Sequence, residues 1–240
     1  MLVERFGAPA HGVALKSSAT DMVSDADRLA ERAIAELIRR ERPADGLLGE
    51  EGAAAGGSSG RRWVVDPLDG TTNYLYGFPV WAVSVAVEDA NGPLAGVVLD
   101  PTRDELFVAS RGGGATLNGQ PLSVRHGTPL EESLIATGFA YGADGRAQQA
   151  RLLQRVLPRV RDIRRAGAAA LDLAWVAAGR VDGYFERGLK PWDWAAGRLL
   201  VSEAGGEVAE LRGEPVGLVA GAPALVQDLL RLIHAGERQR

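Results

Sequence analysis

The chain has 240 residues, 46% of them hydrophobic, so it can bury a sizeable core as one large domain or two small ones. Its 27 basic and 31 acidic residues give a net charge of −4, which favours small-molecule partners over nucleic acid or a membrane surface. No apolar run approaches the roughly 20 residues that span a bilayer, and no signal-peptide pattern opens the chain, so a cytoplasmic location is expected. The absence of cysteine excludes disulfides, thiolate catalysis and cysteine-ligated zinc.

The first half of the chain begins with a helix and continues with strands. Ser24 or Asp25 is expected to cap a helix that runs to about Arg42, because apolar residues recur there at helical spacing. Residues 52 to 60, GAAAGGSSG, are expected to form a flexible connection. From 81 to 117, apolar alternation interrupted by turn residues predicts an antiparallel or mixed sheet.

The second half alternates strands and helices. A strand is expected in SLIATGF, a helix at about 147 to 158, a short strand in DIRR, and a buried helix in AAALDLAWVAAG. A strand in GYFE, a helix from about 191 to 204, strands in GEVAEL and GLVAGAP, and a helix ending at about His234 follow. This order predicts a layered α and β chain without internal repeats.

A group of arginines between 151 and 165 is the one basic concentration that could bind nucleic acid: Arg151, Arg155, Arg159, Arg161, Arg164 and Arg165. Spacings of three and four on a helix are typical of a solvated face, and no aromatic residues are interleaved. We therefore interpret this group as surface charge, and no nucleic-acid partner is expected.

The most informative stretch is WVVDPLDGTTNY at 63 to 74, where an apolar strand delivers Asp66 and Asp69 to its end. Pro67 restricts the preceding residue to an extended conformation and turns the chain, so both carboxylates can converge on one point. Such hard oxygen donors suit Mg²⁺, which takes one or two carboxylates together with water and substrate phosphate. Gly70 lets the backbone approach a ligand closely, and the N–H groups of residues 70 to 72 can bind an anion.

DPLDG alone is also good turn chemistry, so the prediction depends on two further acidic segments. These are LLGEEG at 47 to 52 and KPWDWAAG at 190 to 197. Asp193 lies in the first turn of a helix opened by Pro191, where the helix dipole favours a carboxylate, so on its own it reads as a helix acid. Three separate acidic segments nevertheless predict one assembled site, and all three histidines lie outside them, which disfavours a histidine triad or zinc site.

GEE at 49 to 51, WVVDPLDGTTNY at 63 to 74 and PWDWAAGRLLVSEAGG at 191 to 206 together resemble the inositol monophosphatase family of Mg²⁺-dependent phosphatases. The resemblance runs from residue 16 to about 206 and includes KSSATDMVSDAD and GAAALDLAWVAAGRVDGYFE. It implies an alternating αβαβα sandwich of the sugar-phosphatase type. Residues 1 to 240 would form one domain, with an N-terminal α+β half to about 130, a C-terminal α/β half from about 131, and the site between them.

The resemblance also implies a ligand set for two or three Mg²⁺ ions. The metal ligands would be the carboxylates of Glu50, Asp66, Asp69 and Asp193 and the main-chain carbonyl of Leu68. Two ions in such a site can activate the attacking water and stabilise the departing oxygen. Glu51, next to one of the ligands, is interpreted as structural.

The same resemblance implies how water and phosphate are held. A water would be oriented by the Thr71 hydroxyl paired with Asp27, while Glu50 contacts the metal and the water. Gly70, Thr71 and a mobile-loop lysine, Lys16, would bind the phosphate. From the residues alone, Asp27 could equally be a first-turn helix acid and Lys16 an exposed loop lysine.

Contacts to the substrate are implied for four residues: Asp69, Ala169 through its backbone, Glu186 and Asp193. Glu186 could otherwise be a surface charge at the end of a strand. The expected substrate is a small phosphorylated polyol, above all myo-inositol 1-phosphate. Fructose-1,6-bisphosphatase, histidinol-phosphatase and 3′(2′),5′-bisphosphate nucleotidase activities remain alternatives, although nucleotidase relatives typically carry Lys-Glu where this chain has Thr72 and Asn73.

Three further expectations come from the family. A homodimer and inhibition by Li⁺ are family properties that the residues alone do not establish. Members usually have a longer helix before the lysine loop, whereas 15 residues precede Lys16 here, so we expect a short first helix or a start assigned too late.

A function of another class, a non-catalytic regulatory or RNA-associated protein, is motivated by the arginine group.

Overall fold

The computed structural model describes residues 1–7, 12–16 and 22–235. Its helices are α1 Leu2–Arg5, α2 Asp25–Glu41, α3 Thr71–Leu75, α4 Ala143–Val156, α5 Ala169–Ala177, α6 Pro191–Glu203 and α7 Pro223–Ala235. Its strands are β1 Ala14–Leu15, β2 Met22–Val23, β3 Gly46–Gly49, β4 Ala54–Ala55, β5 Arg62–Asp69, β6 Ala82–Asp89, β7 Gly92–Asp100, β8 Glu105–Ser110, β9 Gly114–Leu117, β10 Gln120–Pro121, β11 Leu134–Thr137, β12 Asp162–Arg164, β13 Gly183–Arg187, β14 Glu207–Leu211 and β15 Gly217–Gly221.

Two large sheets contain most of these strands. The first sheet has eight strands in the order β10-β9-β8-β7-β6-β5-β3-β4, and only its β3–β5 pair is parallel among the pairs described. The second has five strands in the order β12-β11-β13-β15-β14, with β11 parallel to both of its neighbours. The sheet expected from residues 81 to 117 is thus confirmed as the antiparallel part of a mixed sheet.

Helices and sheets alternate in layers. On the outer side of the eight-stranded sheet, Ile38 of α2 lies in one buried cluster with Val65. Between the two sheets lie α5 and α6, whose buried side chains join both sheets in one cluster. On β13, the successive residues Tyr184 and Phe185 belong to different clusters, and the second of these contains Leu229 of α7. The α4 and α7 helices therefore cover the outer face of the five-stranded sheet, and the αβαβα sandwich is confirmed.

Close approach of α6 to its neighbours fixes the position of its first turn. A Cβ on Gly96 of β7 would lie 2.9 Å from the Cα of Ala196, and a Cβ on Gly197 would lie 2.6 Å from the Cβ of Leu173. Side chains at these two glycines would push α6 away from the sheet and from α5. The absence of side chains at these crossings therefore determines where Asp193, in the first turn of α6, can lie.

The structure confirms most of the expected elements and corrects two. The helix capped by Ser24 is α2, and the Ser24 hydroxyl accepts a hydrogen bond from the Ala26 amide at 3.2 Å. The helix expected at about 147 to 158 is instead α4, Ala143–Val156, followed by a tighter turn at Leu157–Arg159 that contains Pro158. The connection at 52 to 60 is not flexible throughout, because β4 pairs with β3.

The first helix, α1, is short, with four residues. Residues 17 to 21 of KSSATDMVSDAD and His11 lie outside the described residues. Within the part of the chain that is described, no helix has the length and apolar content needed to cross a bilayer.

Candidate active site

A bulge at the end of β5 brings two carboxylates to the same side of the sheet. Residues three apart on a regular strand face opposite sides. Against β6, however, Asp66 pairs with Ser84 and Asp69 with Ala82, so β5 has one extra residue at this point. Pro67 lies within the bulge, where its missing N–H breaks no ladder bond. Asp66 and Asp69 are consequently both buried, and Asp69 lines a cavity.

The turn after β5 has a conformation that only glycine adopts easily. Gly70 has φ +87° and precedes α3, and a Cβ there would lie 2.9 Å from the carbonyl oxygen of Val80. The next residue, Thr71, is buried and its hydroxyl lies 2.8 Å from Asp27 Oδ1 and 3.1 Å from the carbonyl oxygen of Leu68. The structure therefore brings together three of the residues predicted for water and phosphate and one predicted main-chain metal ligand.

Hydrogen bonds from Ser24 fix the orientation of the Asp27 carboxylate. Its Oδ2 accepts hydrogen bonds from the Ser24 amide at 2.9 Å and the Ser24 hydroxyl at 2.6 Å, which completes a capping box at the start of α2. The remaining oxygen, Oδ1, faces Thr71. Asp27 is thus both the helix acid that the sequence allowed and the partner of Thr71. Because the Thr71 hydroxyl can donate its proton to Asp27, its lone pairs stay available to accept a hydrogen bond.

Asp69 connects the two sheets' halves of the chain. Its Oδ1 accepts a hydrogen bond from the Ala169 amide at 3.2 Å, and its Oδ2 accepts one from the Ala170 amide at 2.7 Å. Both donors lie in the first turn of α5, where amides have no partner within the helix and the helix dipole favours a negative charge. The expected role of the Ala169 backbone is therefore changed, because its amide holds Asp69 in this structure.

Asp193 completes the acidic group from the third segment. Its Oδ2 accepts a hydrogen bond from the Lys190 amide at 2.6 Å at the start of α6. Burial raises the pKa of the Asp193 carboxyl to about 7, and the Glu50 and Glu186 carboxylates add to this rise. Asp193 is therefore a carboxylate whose charge is poorly compensated by the protein.

Glu50 comes from the turn between β3 and β4 and meets Lys16. The Lys16 ammonium donates to Glu50 Oε1 at 2.8 Å and to Glu51 Oε1 at 2.5 Å. Burial opposes the charge on Lys16, but the two carboxylates raise its pKa above its ordinary value. Burial also raises the pKa of the Glu51 carboxyl, which lies in this ion pair beside the predicted ligand. Lys16 thus neutralises the glutamates and faces the cavity in the place expected for a phosphate-binding lysine.

The carboxylates around the cavity repel one another. Burial raises the pKa of the Asp66 carboxyl well above its ordinary value, and the Glu50 and Asp69 carboxylates raise it further. Burial likewise raises the pKa of the Asp69 carboxyl, with Asp193 as the main acidic neighbour. Such a set of mutually repelling hard oxygen donors fits a divalent cation such as Mg²⁺.

The carboxylates are near one another but do not form a closed metal centre. Among the described residues, no three or more acidic or histidine side chains already have the arrangement of one. Each of the four predicted carboxylate ligands instead accepts a hydrogen bond from a nearby protein N–H. These bonds hold the carboxylates in place and leave lone pairs for a cation that keeps several waters of its own.

Glu186 also lines the cavity. Its Oε2 accepts a hydrogen bond from the Tyr184 hydroxyl at 2.5 Å, and burial raises the pKa of its carboxyl. A Cβ on Gly138 would overlap this carboxylate, so the glycine makes room for it. The cavity has a volume of about 500 Å³ and is lined by the predicted residues Lys16, Glu50, Asp69, Ala169, Glu186 and Asp193 among others.

Sequence reasoning missed one residue that shapes the site. Glu31 is buried on α2, and its carboxylate accepts hydrogen bonds from the Glu51 and Ala53 amides, both at 2.8 Å. A Cβ on Gly49 would lie 2.1 Å from Glu31 Oε2, so the glycine lets the carboxylate reach the turn. The signal was present in the sequence, because Glu31 follows Asp27 by four residues and therefore shares its helix face. One face of α2 thus supports both Thr71 and the turn that carries Glu50.

A second missed residue joins the two halves. The Asn73 side-chain amide donates to the carbonyl oxygens of Val80 at 2.7 Å and Ala166 at 2.9 Å. Both amide hydrogens are used, and one of them crosses from α3 to the segment before α5. Asn73 therefore supports the same alignment of halves as the bonds between Asp69 and α5.

We expect the Glu31→Gln variant to bind Mg²⁺ about tenfold more weakly than the wild type, as is typical when a residue that orients a metal ligand is changed. A glutamine oxygen can replace only one of the two hydrogen bonds, and its NH₂ group would face the other amide donor. Calorimetric titration with Mg²⁺ measures the effect.

Glu36→Gln is the matched control, because Glu36 is exposed on the same helix and its change should leave Mg²⁺ affinity unaltered. Unchanged Mg²⁺ affinity in Glu31→Gln would show that Glu31 does not position Glu50. A lower melting temperature without weaker Mg²⁺ binding would indicate a purely structural role.

We also expect the rise in Tm that Mg²⁺ produces to grow from about pH 6 to about pH 8. A carboxyl with a raised pKa in the folded state stabilises the fold below its ordinary pKa, and that contribution is lost as pH rises through the folded value, about 7 for Asp193. As the pH rises, the metal-free protein therefore becomes less stable, whereas bound Mg²⁺ stabilises the folded state with its carboxylates ionised. Thermal unfolding with and without Mg²⁺ measures the difference.

Asp193→Asn should reduce the pH dependence of the rise in Tm that Mg²⁺ produces. The control Asp228→Asn, at a partly exposed position of α7, should leave that pH dependence unchanged. An equal Mg²⁺ effect at both pH values would contradict the electrostatic account.

Comparison with known proteins agrees with this architecture. A model of the inositol monophosphatase family matches residues 1–236. An inositol-1-monophosphatase of Rhizobium meliloti is 48% identical over 212 residues, which are 88% of this chain and 79% of that protein. The Nus factor SuhB of Xylella fastidiosa is 47% identical over 200 residues, 83% of this chain and 72% of that protein.

Among solved structures, the extragenic suppressor protein SuhB of Bartonella henselae superposes with a TM-score of 0.91 at 43% identity and covers 97% of this chain and 92% of that one. A match of the family model over nearly the whole chain, together with a relative of this identity and coverage, leaves no other assignment. The chain belongs to the inositol monophosphatase family.

Proposed function

We propose that this chain is a phosphoric monoester hydrolase that uses Mg²⁺ and acts on a small phosphorylated polyol, with myo-inositol 1-phosphate as the leading substrate. The observation that carries the proposal is the convergence of carboxylates from three segments beside a glycine turn at one cavity. Membership of the inositol monophosphatase family supports the reaction class. That the chain acts as one domain, with the site between its halves, belongs to the same proposal.

The difficulty of the reaction is charge, because water must reach an anionic phosphorus while an alkoxide leaves. Mg²⁺, when bound, supplies positive charge that favours deprotonation of water and stabilises the leaving oxygen. In this proposal Glu50, Asp66, Asp69, Asp193 and the carbonyl of Leu68 hold it. The family is generally metal-dependent, and two or three ions are our proposal for this chain.

Orientation of the attacking water is assigned to Thr71. The Thr71 hydroxyl oxygen lies 2.8 Å from Asp27 Oδ1 and can donate its proton to it. The same hydroxyl oxygen can therefore accept a hydrogen bond from a water beside it. Asp27 Oδ2 is held by two bonds from Ser24, so the carboxylate cannot turn away. The pair therefore presents a fixed acceptor, and Glu50 is the second acceptor for the same water in this proposal.

Binding of phosphate and of the polyol is assigned to different residues. Gly70 and the start of α3 present backbone N–H groups, and Lys16, which lines the cavity, supplies a positive charge. Glu186 lines the same cavity and has lone pairs that are not used by Tyr184 and that can accept from substrate hydroxyls. Asp69 and Asp193 are the further substrate contacts that we propose.

The experiment that tests the function is a substrate panel assayed with Mg²⁺: inositol 1-phosphate, glycerol 2-phosphate, fructose 1,6-bisphosphate, histidinol phosphate and adenosine 3′,5′-bisphosphate. We expect phosphate release with inositol 1-phosphate at the highest kcat/KM. Dominance of histidinol phosphate or of the nucleotide would contradict the inositol assignment.

Replacing Asp69 by Asn should lower phosphate release by more than about a thousandfold, because the change removes both a metal ligand and part of the negative charge that attracts Mg²⁺. Circular dichroism should show an unchanged fold. Asp228→Asn, a surface aspartate on α7, is the matched control and should retain full turnover. Retained turnover in Asp69→Asn would refute the assignment of the site.

A second candidate function is a regulatory, RNA-associated role, which is supported by the relatives named Nus factor SuhB. Arg151, Arg159 and Arg161 of the arginine group are exposed. This role predicts nucleic-acid binding that weakens with salt and survives in Asp69→Asn. An absence of binding at low salt would remove it.

We further propose a homodimer in the cytoplasm and inhibition by Li⁺, all from family membership. Analytical ultracentrifugation and assays with added LiCl measure the first and the last of these. Sedimentation as a monomer would contradict the dimer, and full activity in LiCl would contradict Li⁺ inhibition.

A further inference from the structure

A cavity at one edge of the five-stranded sheet, which we call the edge pocket, has no role in the proposed hydrolysis. It has a volume of about 400 Å³ and lies between α6 and the strands β14 and β15. β14 is the outermost strand of this sheet, so the pocket lies where the sheet ends. Most of the lining is apolar and consists of Leu189, Pro191, Trp194, Val208, Val216 and Leu218.

Two charged side chains of opposite sign also line the edge pocket. Arg198 lies on α6 and Glu210 lies on β14, and both are exposed. The Arg198 guanidinium lies 5.7 Å from the centre of the Trp194 ring. In the described part of the chain, neither charged side chain forms an ion pair or a hydrogen bond. The pocket therefore presents one free donor group and one free acceptor group that do not neutralise each other.

These two charges restrict the kind of ligand that fits the edge pocket. A simple anion is attracted by Arg198 but repelled by Glu210, and for a simple cation the two effects are reversed. A ligand that carries both charges is attracted by both residues. Guanidinium groups pair with carboxylates through two parallel hydrogen bonds, and carboxylates accept hydrogen bonds from ammonium groups. An α-amino acid has a carboxylate and an ammonium group on the same carbon and therefore matches this pair.

The apolar lining determines the rest of the ligand. Trp194 and Val208 are partly buried and pack against the large cluster around α5 and α6, so they form a firm apolar surface. An apolar side chain placed against this surface leaves water, which favours binding. Sites for small molecules typically have volumes of roughly 300 to 1,000 Å³ and combine an apolar lining with a few polar groups. The edge pocket, at about 400 Å³, is at the small end of this range and suits a single amino acid.

The segment 189–194 separates the edge pocket from the active-site cavity. Pro191 and Trp194 line the edge pocket, whereas Asp193 lines the active-site cavity. Leu189 lines both. Because α6 begins at Pro191, a ligand in the edge pocket contacts the same helical turn that carries the proposed metal ligand Asp193.

We propose that the edge pocket is an effector site for a free α-amino acid with an apolar side chain. Arg198 binds the carboxylate of the amino acid, Glu210 binds its ammonium group, and Trp194 packs against its side chain. The bound amino acid restrains the first turn of α6, which lowers the entropy lost when Mg²⁺ binds and therefore raises the affinity for Mg²⁺. The effect on Mg²⁺ rests on the proposed function, whereas the binding of the amino acid does not.

The first test measures binding by calorimetry. The probes are L-leucine and L-phenylalanine, each compared with its N-acetyl derivative, which lacks the ammonium charge, and with its amide, which lacks the carboxylate. We expect at least one of the two amino acids to bind about tenfold more tightly than both of its derivatives, as is typical for the loss of a charge-assisted hydrogen bond.

Variants assign the two charges of the amino acid to the two residues. In Arg198→Gln the amino acid and its amide should bind with about equal affinity, because the partner of the carboxylate is removed. In Glu210→Gln the amino acid and its N-acetyl derivative should bind about equally. The matched controls Arg39→Gln and Glu131→Gln, at exposed positions outside the pocket, should preserve both differences.

Three results would overturn the edge pocket as an amino-acid site. The first is the absence of binding of both amino acids up to millimolar concentrations. The second is an Arg198→Gln or Glu210→Gln variant that still distinguishes the amino acid from the derivative concerned. The third is displacement of the bound amino acid by inorganic phosphate, which would place it in the active-site cavity instead.

The second test is a Mg²⁺ titration with and without the amino acid that binds more tightly, at a saturating concentration. The Kd for Mg²⁺ should fall about fivefold, at the lower end of typical couplings between sites, and Arg198→Gln should remove this change. An unchanged or raised Kd would overturn the effector role. Absence of Mg²⁺ binding to the wild type would instead refute the proposed function, while the first test still decides whether the amino acid binds.

Discussion

Mutual repulsion among buried carboxylates is the constraint on which the rest of this structure depends. Glu50, Asp66, Asp69 and Asp193 come from three segments, and the pKa values of the three aspartates are raised because they share one poorly solvated region. The fold holds this arrangement by giving each carboxylate a nearby N–H donor. The stability lost through this repulsion is offset by one large apolar cluster around α5 and α6 and by another beneath α4 and α7.

Helix α2 acts as a common support for two parts of the site. Asp27 and Glu31 lie one turn apart on its buried face, and each carboxylate uses both oxygens on groups that belong to other elements or to the helix cap. Because a helix is stiff along its axis, the distance between the Thr71 hydroxyl and the turn of Glu50 is set by a fixed spacing on α2. Rigid placement of this kind keeps catalytic groups in register without a bound ligand.

Much of this could be predicted from the sequence, and the remainder has a physical explanation. Periodicity located α2, whose apolar face repeats regularly, whereas an almost continuous apolar run indicated α5 and Pro191 marked the start of α6. The start of α4 was misplaced because its N-terminal half carries few buried side chains. The acidic residues of the site were recognisable from their motifs. Glu31 shares a helix face with Asp27 by its spacing, but this spacing does not reveal that its partners are backbone amides. Asn73 was missed because its partners are backbone carbonyls, which no side-chain pattern reveals. Arg165 is exposed, as interpreted from the sequence, and its guanidinium lies over the Phe139 ring.

The first two amides of α5 donate hydrogen bonds to Asp69, so the site connects the two halves of the chain. Any ligand that strengthens the hold on Asp69 also opposes separation of the halves, and by thermodynamic reciprocity any contact that draws the halves apart weakens that ligand. Hydrogen exchange at the Ala169 and Ala170 amides consequently reports on events in the cavity, because these protons are released only when this connection opens. Amide exchange in the first turn of α5, which lies between the two sheets, therefore indicates whether a ligand is bound in the cavity.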